Sequence, residues 1–203
     1  MTTAEFVELW AEHGARSRRA GRPGRLSYVQ NFPVLEAGRH LLPYPGFDVC
    51  AEATYESIAA VEAAFAPGAP VGLHADRYSL LDEAAFNSVT AHRDVLVTGQ
   101  IGGDSVKLMT FYRSHPVHGA GALVERLKGA HAQIVDEISP MRHELLLVNS
   151  PEPRQCDAVE IIWFGSPSEA LDYTRSDAAY KATVVLGGRC FGTERLIARP
   201  VSG

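Results

Sequence analysis

The chain has 203 residues, 46% of them hydrophobic and 21% charged, and a formal net charge of −5 at pH 7. That composition suits a folded soluble chain, excludes a disordered one, and lacks the basic excess that general nucleic-acid binding requires. No apolar run approaches the roughly 20 residues of a membrane span, and Met1-Thr2-Thr3-Ala4-Glu5 does not open like a signal segment, so no membrane partner and a cytoplasmic location are expected.

The elements are taken in chain order. Thr2-Thr3-Ala4-Glu5 is a capping box that opens a helix. Phe6, Trp10 and His13 then recur on one helical face. Arg16, Arg18, Arg19, Arg22 and Arg25 cluster at the end of this helix, where cations complement the helix dipole. The alternative is that they guide an anionic substrate or a carrier-protein phosphopantetheine towards the helix. Tyr28-Val29-Gln30-Asn31 reads as a strand, and Pro33 to Gly46, with three prolines and two glycines, reads as a loop. Phe47 to Tyr55 reads as a strand that enters a helix through Ser57, a favoured N-cap type. His92 to Val97 is a further strand. Ser105 to Arg113 alternates along Val106, Leu108 and Thr110, the pattern of a half-buried strand carrying Phe111 and Tyr112. Ser114-His115-Pro116-Val117-His118-Gly119 is a loop. Leu123, Leu127 and His131 share a helical face, and His143 to Val148 and Asp157 to Phe164 are strands. Ser166 or Ser168 caps a last helix, and Thr193 to Ala198 closes the set.

The chain repeats itself. Placing Asp48 on Asp157 aligns Tyr55 with Phe164 and Ser57 with Ser166 without a gap. His13 and His131 then occupy equivalent helices, and His92 to Val97 resembles Thr193 to Ala198. Two units follow, residues 1–99 and 104–203. The second has the order β-α-β-β-α-β, the ferredoxin-like pattern. The first lacks its leading strand, or has that position filled from elsewhere.

Leu123-x-x-x-Leu127-x-x-x-His131-Ala132 resembles the Phe-x-x-x-Trp-x-x-x-His-Ala helix of the EthD-like families, which belong to the dimeric α+β barrel superfamily. Phe6 to His13 is similar to a variant of that helix with two successive histidines, except that Gly14 stands at the second position. Tyr28 to Asn31 and Asp157 to Phe164 resemble the family's second and third strands. The resemblance implies an α+β fold of two ferredoxin-like units packed sheet to sheet, closing a barrel within one chain. Two such chains could pair as a homodimer. It also implies a small hydrophobic or aromatic substrate held between a sheet and its helices.

Histidine suits proton transfer near neutral pH. His131 and His13 are the first catalytic candidates, because each ends an apolar helical face. His143 would approach His131 if it faces the side of Leu145 and Leu147, and Tyr28 could act as a phenolic partner to His13. Tyr112, Phe111, Trp10, Trp163 and His92 are the candidates for lining a substrate cavity. Packing and strand-end roles compete at each of these positions. His40 and His74 lie in Pro/Gly-rich loops and are expected to be solvated. No nucleotide-binding glycine motif is present. His115 and His118 have no supporting ligand at metal spacing, and Cys50, Cys156 and Cys190 are too scattered for a zinc site or a disulfide framework. Neither cofactor nor metal is therefore expected. The resemblance points first to a cofactor-independent cyclase, isomerase or dehydratase acting on a cyclic or polyketide-like carbonyl compound. The alternative is a cofactor-free monooxygenase of phenolic or anthrone-type rings. A non-catalytic ligand- or haem-binding protein, with His131 as axial ligand, is a third reading.

Overall fold

The computed structural model describes residues 2–43, 47–66, 89–149 and 156–202. Helix α1 spans Thr3–Ala20. Its capping box is made as expected, with Glu5 N–H donating to Thr2 Oγ1 at 3.3 Å and Thr2 N–H donating to Glu5 Oε2 at 2.7 Å. Strand β1 (Arg25–Pro33) follows. The segment read as a loop holds a small hairpin, β2 (Leu35–Glu36) and β3 (Arg39–His40). Ala37 and Gly38 turn it with φ of 48° and 76°, the two positive values that a two-residue hairpin loop favours. His40 in this hairpin is half-buried and faces Asp48 at 3.6 Å, so it is not the solvated residue expected, whereas His74 lies outside the described residues.

Strand β4 (Cys50–Tyr55) leads into α2 (Ile58–Phe65), whose cap is Ser57. Strands β5 (Ala91–Val97) and β6 (Val106–Ser114) come next. Helix α3 is built from Gly119–Arg126, a π-helical turn Leu127–His131 and Ala132–Asp136, and it kinks at Gly129. Strands β7 (Arg142–Val148) and β8 (Ala158–Phe164) precede α4 (Pro167–Thr174). Ser166 is the cap of α4, accepting from Glu169 N–H, and Ser168 only bonds to Ser166. Helix α5 (Asp177–Leu186) has no counterpart in the sequence expectations; Ser176 caps it and Gly187 ends it in the left-handed region. Strand β9 (Cys190–Ser202) is the last. Among the described residues no helix is long and apolar enough to cross a membrane.

Seven strands form one antiparallel sheet in the order β4-β1-β9-β6-β8-β7-β5. This differs from the expectation of two sheets packed face to face. The strands of the two halves are joined edge to edge by ladders, β9 to β1 and β7 to β5. Strand twist accumulates across seven strands, and the sheet curls into a half-barrel. The curl brings its two free edges close enough for Arg93 on β5 to reach Glu52 on β4 at 2.8 Å. Among the described residues, side chains and not a ladder bridge this seam.

Alternation along each strand gives the sheet two different faces. The outer face carries Val106, Leu108, Ile162, Phe164 and Ile197 against the helices and Leu42. The inner face carries Met109, Val159, Ile161, Trp163 and Leu196. Strand β8 is buried at all seven positions, because helices cover one side and the curled sheet covers the other.

Gly14 is explained by packing. A Cβ there would lie 1.7 Å from Gln30 Oε1. The Gln30 side chain is locked, donating to the Trp10 carbonyl at 2.7 Å and accepting from Arg18 at 2.8 Å. Glycine to alanine within a helix ordinarily adds about 0.5–1 kcal/mol. Here Gly14→Ala should instead lower the melting temperature, and the loss should shrink in a Gln30→Ala background. Calorimetry of the four-member cycle measures both.

Candidate active site

The strongest cluster of chemistry-bearing groups lies on the outer face of the sheet, beneath α3. Strand β8 contributes Glu160, the single charge in a buried strand. Burying a carboxylate alone is prohibitive, and three donors answer it. His131 Nε2 lies 2.8 Å and His143 Nε2 3.0 Å from Glu160 Oε1, and Tyr112 donates to Oε2 at 2.7 Å. The His131 and Tyr112 rings meet edge-on, 6.0 Å between centroids. His131 reaches Glu160 from the last residue of the π-helical turn. His143 rises from the neighbouring strand, where it pairs with Ile162.

The other ring nitrogens are also engaged. His131 Nδ1 lies 2.8 Å from the Ala182 carbonyl, and His143 Nδ1 lies 2.9 Å from Asp136 Oδ1. Each histidine therefore faces an acceptor at both nitrogens. With the carboxylates ionised, both rings must donate twice, which makes both imidazolium. The electrostatics agree. Burial opposes charge on His131 and His143, but the Glu160 carboxylate and its hydrogen bonds outweigh it and raise both above the ordinary histidine value. Burial likewise works against ionised Glu160, and the two histidines overcome it, holding the carboxyl far below its usual range. Burial, then Glu160, raises the Tyr112 phenol well above its usual value, so it stays protonated.

The histidines are 3% and 0% exposed, whereas the Asp136 side chain is 38% exposed. The chain Glu160–His143–Asp136 thus runs from the interior to the surface. A row of facing positions extends the cluster the other way. Glu160 pairs with Thr110 across β8 and β6, and Thr110 pairs with Arg195 across β6 and β9. Arg195 Nε is buried without a hydrogen-bond partner among the described residues. Its charge is felt at His131, Tyr112 and Tyr173.

The remaining sequence candidates fall elsewhere. Trp163 and Phe111 point into the half-barrel, on the opposite face from His131, so they cannot share a pocket with it. Trp163 lies under the Lys107 ammonium at 4.8 Å, and Phe111 packs on Phe47 at 4.6 Å. The His92 side chain is 70% exposed and faces Asp94 at 3.2 Å, which makes it a surface residue instead of a cavity wall. His13 is buried on α1, its ring stacked on Trp10 at 5.2 Å. Tyr28, on β1, faces the next turn of α1 at Ser17 and Arg18, with Arg25 over its ring, and burial raises its phenol. Sequence reasoning missed Glu160, Asp136 and Arg195. Glu160 did leave a signal: one charge inside the apolar run Ala158 to Phe164. The haem-ligand reading fits poorly, since both nitrogens of His131 are held at 2.8 Å by protein oxygens.

No family model matches the chain, and no curated protein matches it. Solved structures are similar in fold. An anthrone oxidase-like protein superposes with a TM-score of 0.70 over 100% of this chain and 89% of its own, at 13% identity. A Fusobacterium nucleatum protein, provisionally named a monooxygenase, gives 0.57 over 97% and 85% at 9% identity. A Lactobacillus acidophilus protein, also provisionally named a monooxygenase, gives 0.53 over 98% and 88% at 7% identity. The chain thus has a mixed α+β, barrel-like fold with a strongly curled antiparallel sheet. At these identities the likeness is one of fold.

The cluster ties stability to pH. The raised histidines stabilise the fold fully below their unfolded value of about 6.5, and this contribution is lost as pH rises through their folded values. Lowered Glu160 stabilises above the usual carboxylate range, and its contribution is lost as pH falls towards its own folded value. Urea unfolding should therefore show a stability maximum on the mildly acidic side and a decline above neutrality. Glu160→Gln should flatten that decline and cost about 3–5 kcal/mol at the maximum, the scale for breaking a buried charge network.

Proposed function

We propose that this chain is a cofactor-independent monooxygenase acting on a small aromatic substrate of the phenolic or anthrone type. The observation that carries the reading is the buried convergence of His131, His143 and Tyr112 on Glu160, with a chain of hydrogen bonds out to half-exposed Asp136. Such a chain can take up a substrate proton inside and release it at the surface. The names of the fold neighbours favour oxygenation over the cyclase, isomerase or dehydratase reading suggested first by the sequence. All of these reactions begin by removing a proton beside a carbonyl or phenol.

The proposed step balances with dioxygen as co-reactant. The cluster, when one proton short, accepts a proton from the ring CH₂. The resulting carbanion, delocalised onto the ring oxygen, is stabilised by Arg195, whose Nε lacks a partner among the described residues. Its carbon adds O₂, the peroxide takes a proton back from the cluster, and loss of water leaves the ketone. The net change is CH₂ and O₂ to C=O and H₂O. Arg195 and Tyr173 are half-buried and would border the approach to Tyr112.

The architecture belongs to the same proposal. Strands β6, β7, β8 and β9, with α3 and α4 in their connections, follow a ferredoxin-like order and would be the second EthD-like unit, 104–203. Strands β1, β4 and β5 would belong to the first, 1–99. The leading strand it lacks would lie between β4 and β5, where Arg93 and Glu52 bridge the seam.

Oxygen uptake by purified protein with 1,8-dihydroxyanthrone, corrected for autoxidation, tests the reading. His131→Ala should lower kcat/KM by about 10²–10⁴-fold, the usual weight of general acid–base catalysis. The wild-type rate should rise with pH through an apparent value above about 6.5, since only the deprotonated cluster is a base, and Glu160→Gln should move that value down. Uptake no faster than the protein-free control, or full turnover in both His131→Ala and Arg195→Gln, would overturn the proposal.

A further inference from the structure

We propose that the hollow inside the half-barrel is a second ligand site, specific for a small organic monocarboxylate with an apolar body. The hollow has a volume of about 480 Å³, and Ile101, Gly102 and Gly103 form part of its lining. It lies on the inner face of the sheet, with Trp163, and so is separated by the sheet from Glu160 and the histidines.

Its walls contain charge that the fold has buried. Lys107, whose side chain is 3% exposed, pairs with Glu52. Arg93 pairs with Glu52 at 2.8 Å and faces Glu144 at 3.8 Å, and Arg142 donates to Glu144 at 2.9 Å. Glu52 also accepts from Asn31 at 2.7 Å, and Glu144 from the Trp163 indole at 3.2 Å. The two carboxylates are therefore well supplied with donors. The donors are not exhausted: an ammonium carries three N–H groups and each guanidinium five. Among the described residues three cations face two carboxylates in this lining, leaving one positive charge beside a half-open hollow. Charge near low-dielectric walls attracts a counter-ion strongly. An ionised carboxylate supplies one negative charge and can accept a bidentate pair from a guanidinium. Arg93 and Arg142, the less buried cations, can offer it with the N–H groups that their carboxylate pairs do not use. Val29, Ile101, Pro200 and Trp163 provide apolar wall for the rest of such a molecule.

Calorimetric titration of the full chain with sodium benzoate, in a buffer free of chloride and other carboxylates, tests this, with benzamide as the uncharged isostere. Benzoate should bind saturably and benzamide should not. Arg142→Gln and Arg93→Gln should each weaken benzoate about tenfold or more, the scale of one lost hydrogen bond to a charged group. Arg142→Lys should retain part of the affinity. In the wild-type protein, benzoate should shift the Trp163 indole N–H resonance and leave that of Trp10 in place, a readout that depends on no variant folding. Folded Glu160→Gln should bind benzoate as the wild type does, which separates this site from the proposed oxygenase site. Equal binding of benzamide, no saturation by about 10 mM, unchanged affinity in both glutamine variants, or a shift at Trp10 alone would each overturn it.

Discussion

A carboxylate buried within a seven-stranded sheet constrains everything around it. Glu160 sits on a strand buried on both faces, so water cannot solvate it. Its charge has to be met by fixed donors. That requirement places His131 at the end of the π-helical turn, His143 on the adjacent strand and Tyr112 on the other neighbour. It also explains why both histidines are held protonated. Each ring has acceptors on both sides, and a neutral imidazole would leave one of them facing a lone pair.

The curl of the sheet creates a second environment. Helices cover the outer face and make it suitable for apolar packing around one closed polar cluster. The inner face closes on itself, and its far end is lined by five charged side chains about a hollow. The two faces are separated only by the thickness of a sheet, and alternation sorts their residues. Glu160 and Trp163 are three positions apart on β8 and therefore point in opposite directions. The seam between β4 and β5 shows how the curl is completed. Arg93 and Lys107 converge there on Glu52, which Asn31 also holds.

Much of the fold was legible in the sequence because it depends on local rules. Thr2, Ser57 and Ser166 act as caps, as their positions before apolar runs implied. The strands at 92–97, 105–113 and 157–164 appear close to those bounds, since alternation or continuous apolarity marks them. Helix α5 was missed although Ser176 caps it. The candidate site was only partly legible. His131 and His143 stood out as residue types, but Glu160 was hidden inside a strand read for its apolar residues. Arg195 lies 35 positions further along the chain, and no periodicity links it to Glu160.

The sequence by itself determined most of the elements, their caps and the mixed α+β class, because these follow from short-range hydrogen bonding and the alternation of polar and apolar residues. Tertiary structure alone decided which histidine meets Glu160. His131 and His13 look alike along the chain, yet one meets Glu160 and the other stacks on Trp10. It also decided that Trp163 and Phe111 face the hollow and not the histidines, and that one curled sheet takes the place of two stacked ones. Those outcomes depend on strand register and on pairing between distant segments, and a single residue of register reverses the face on which every side chain falls.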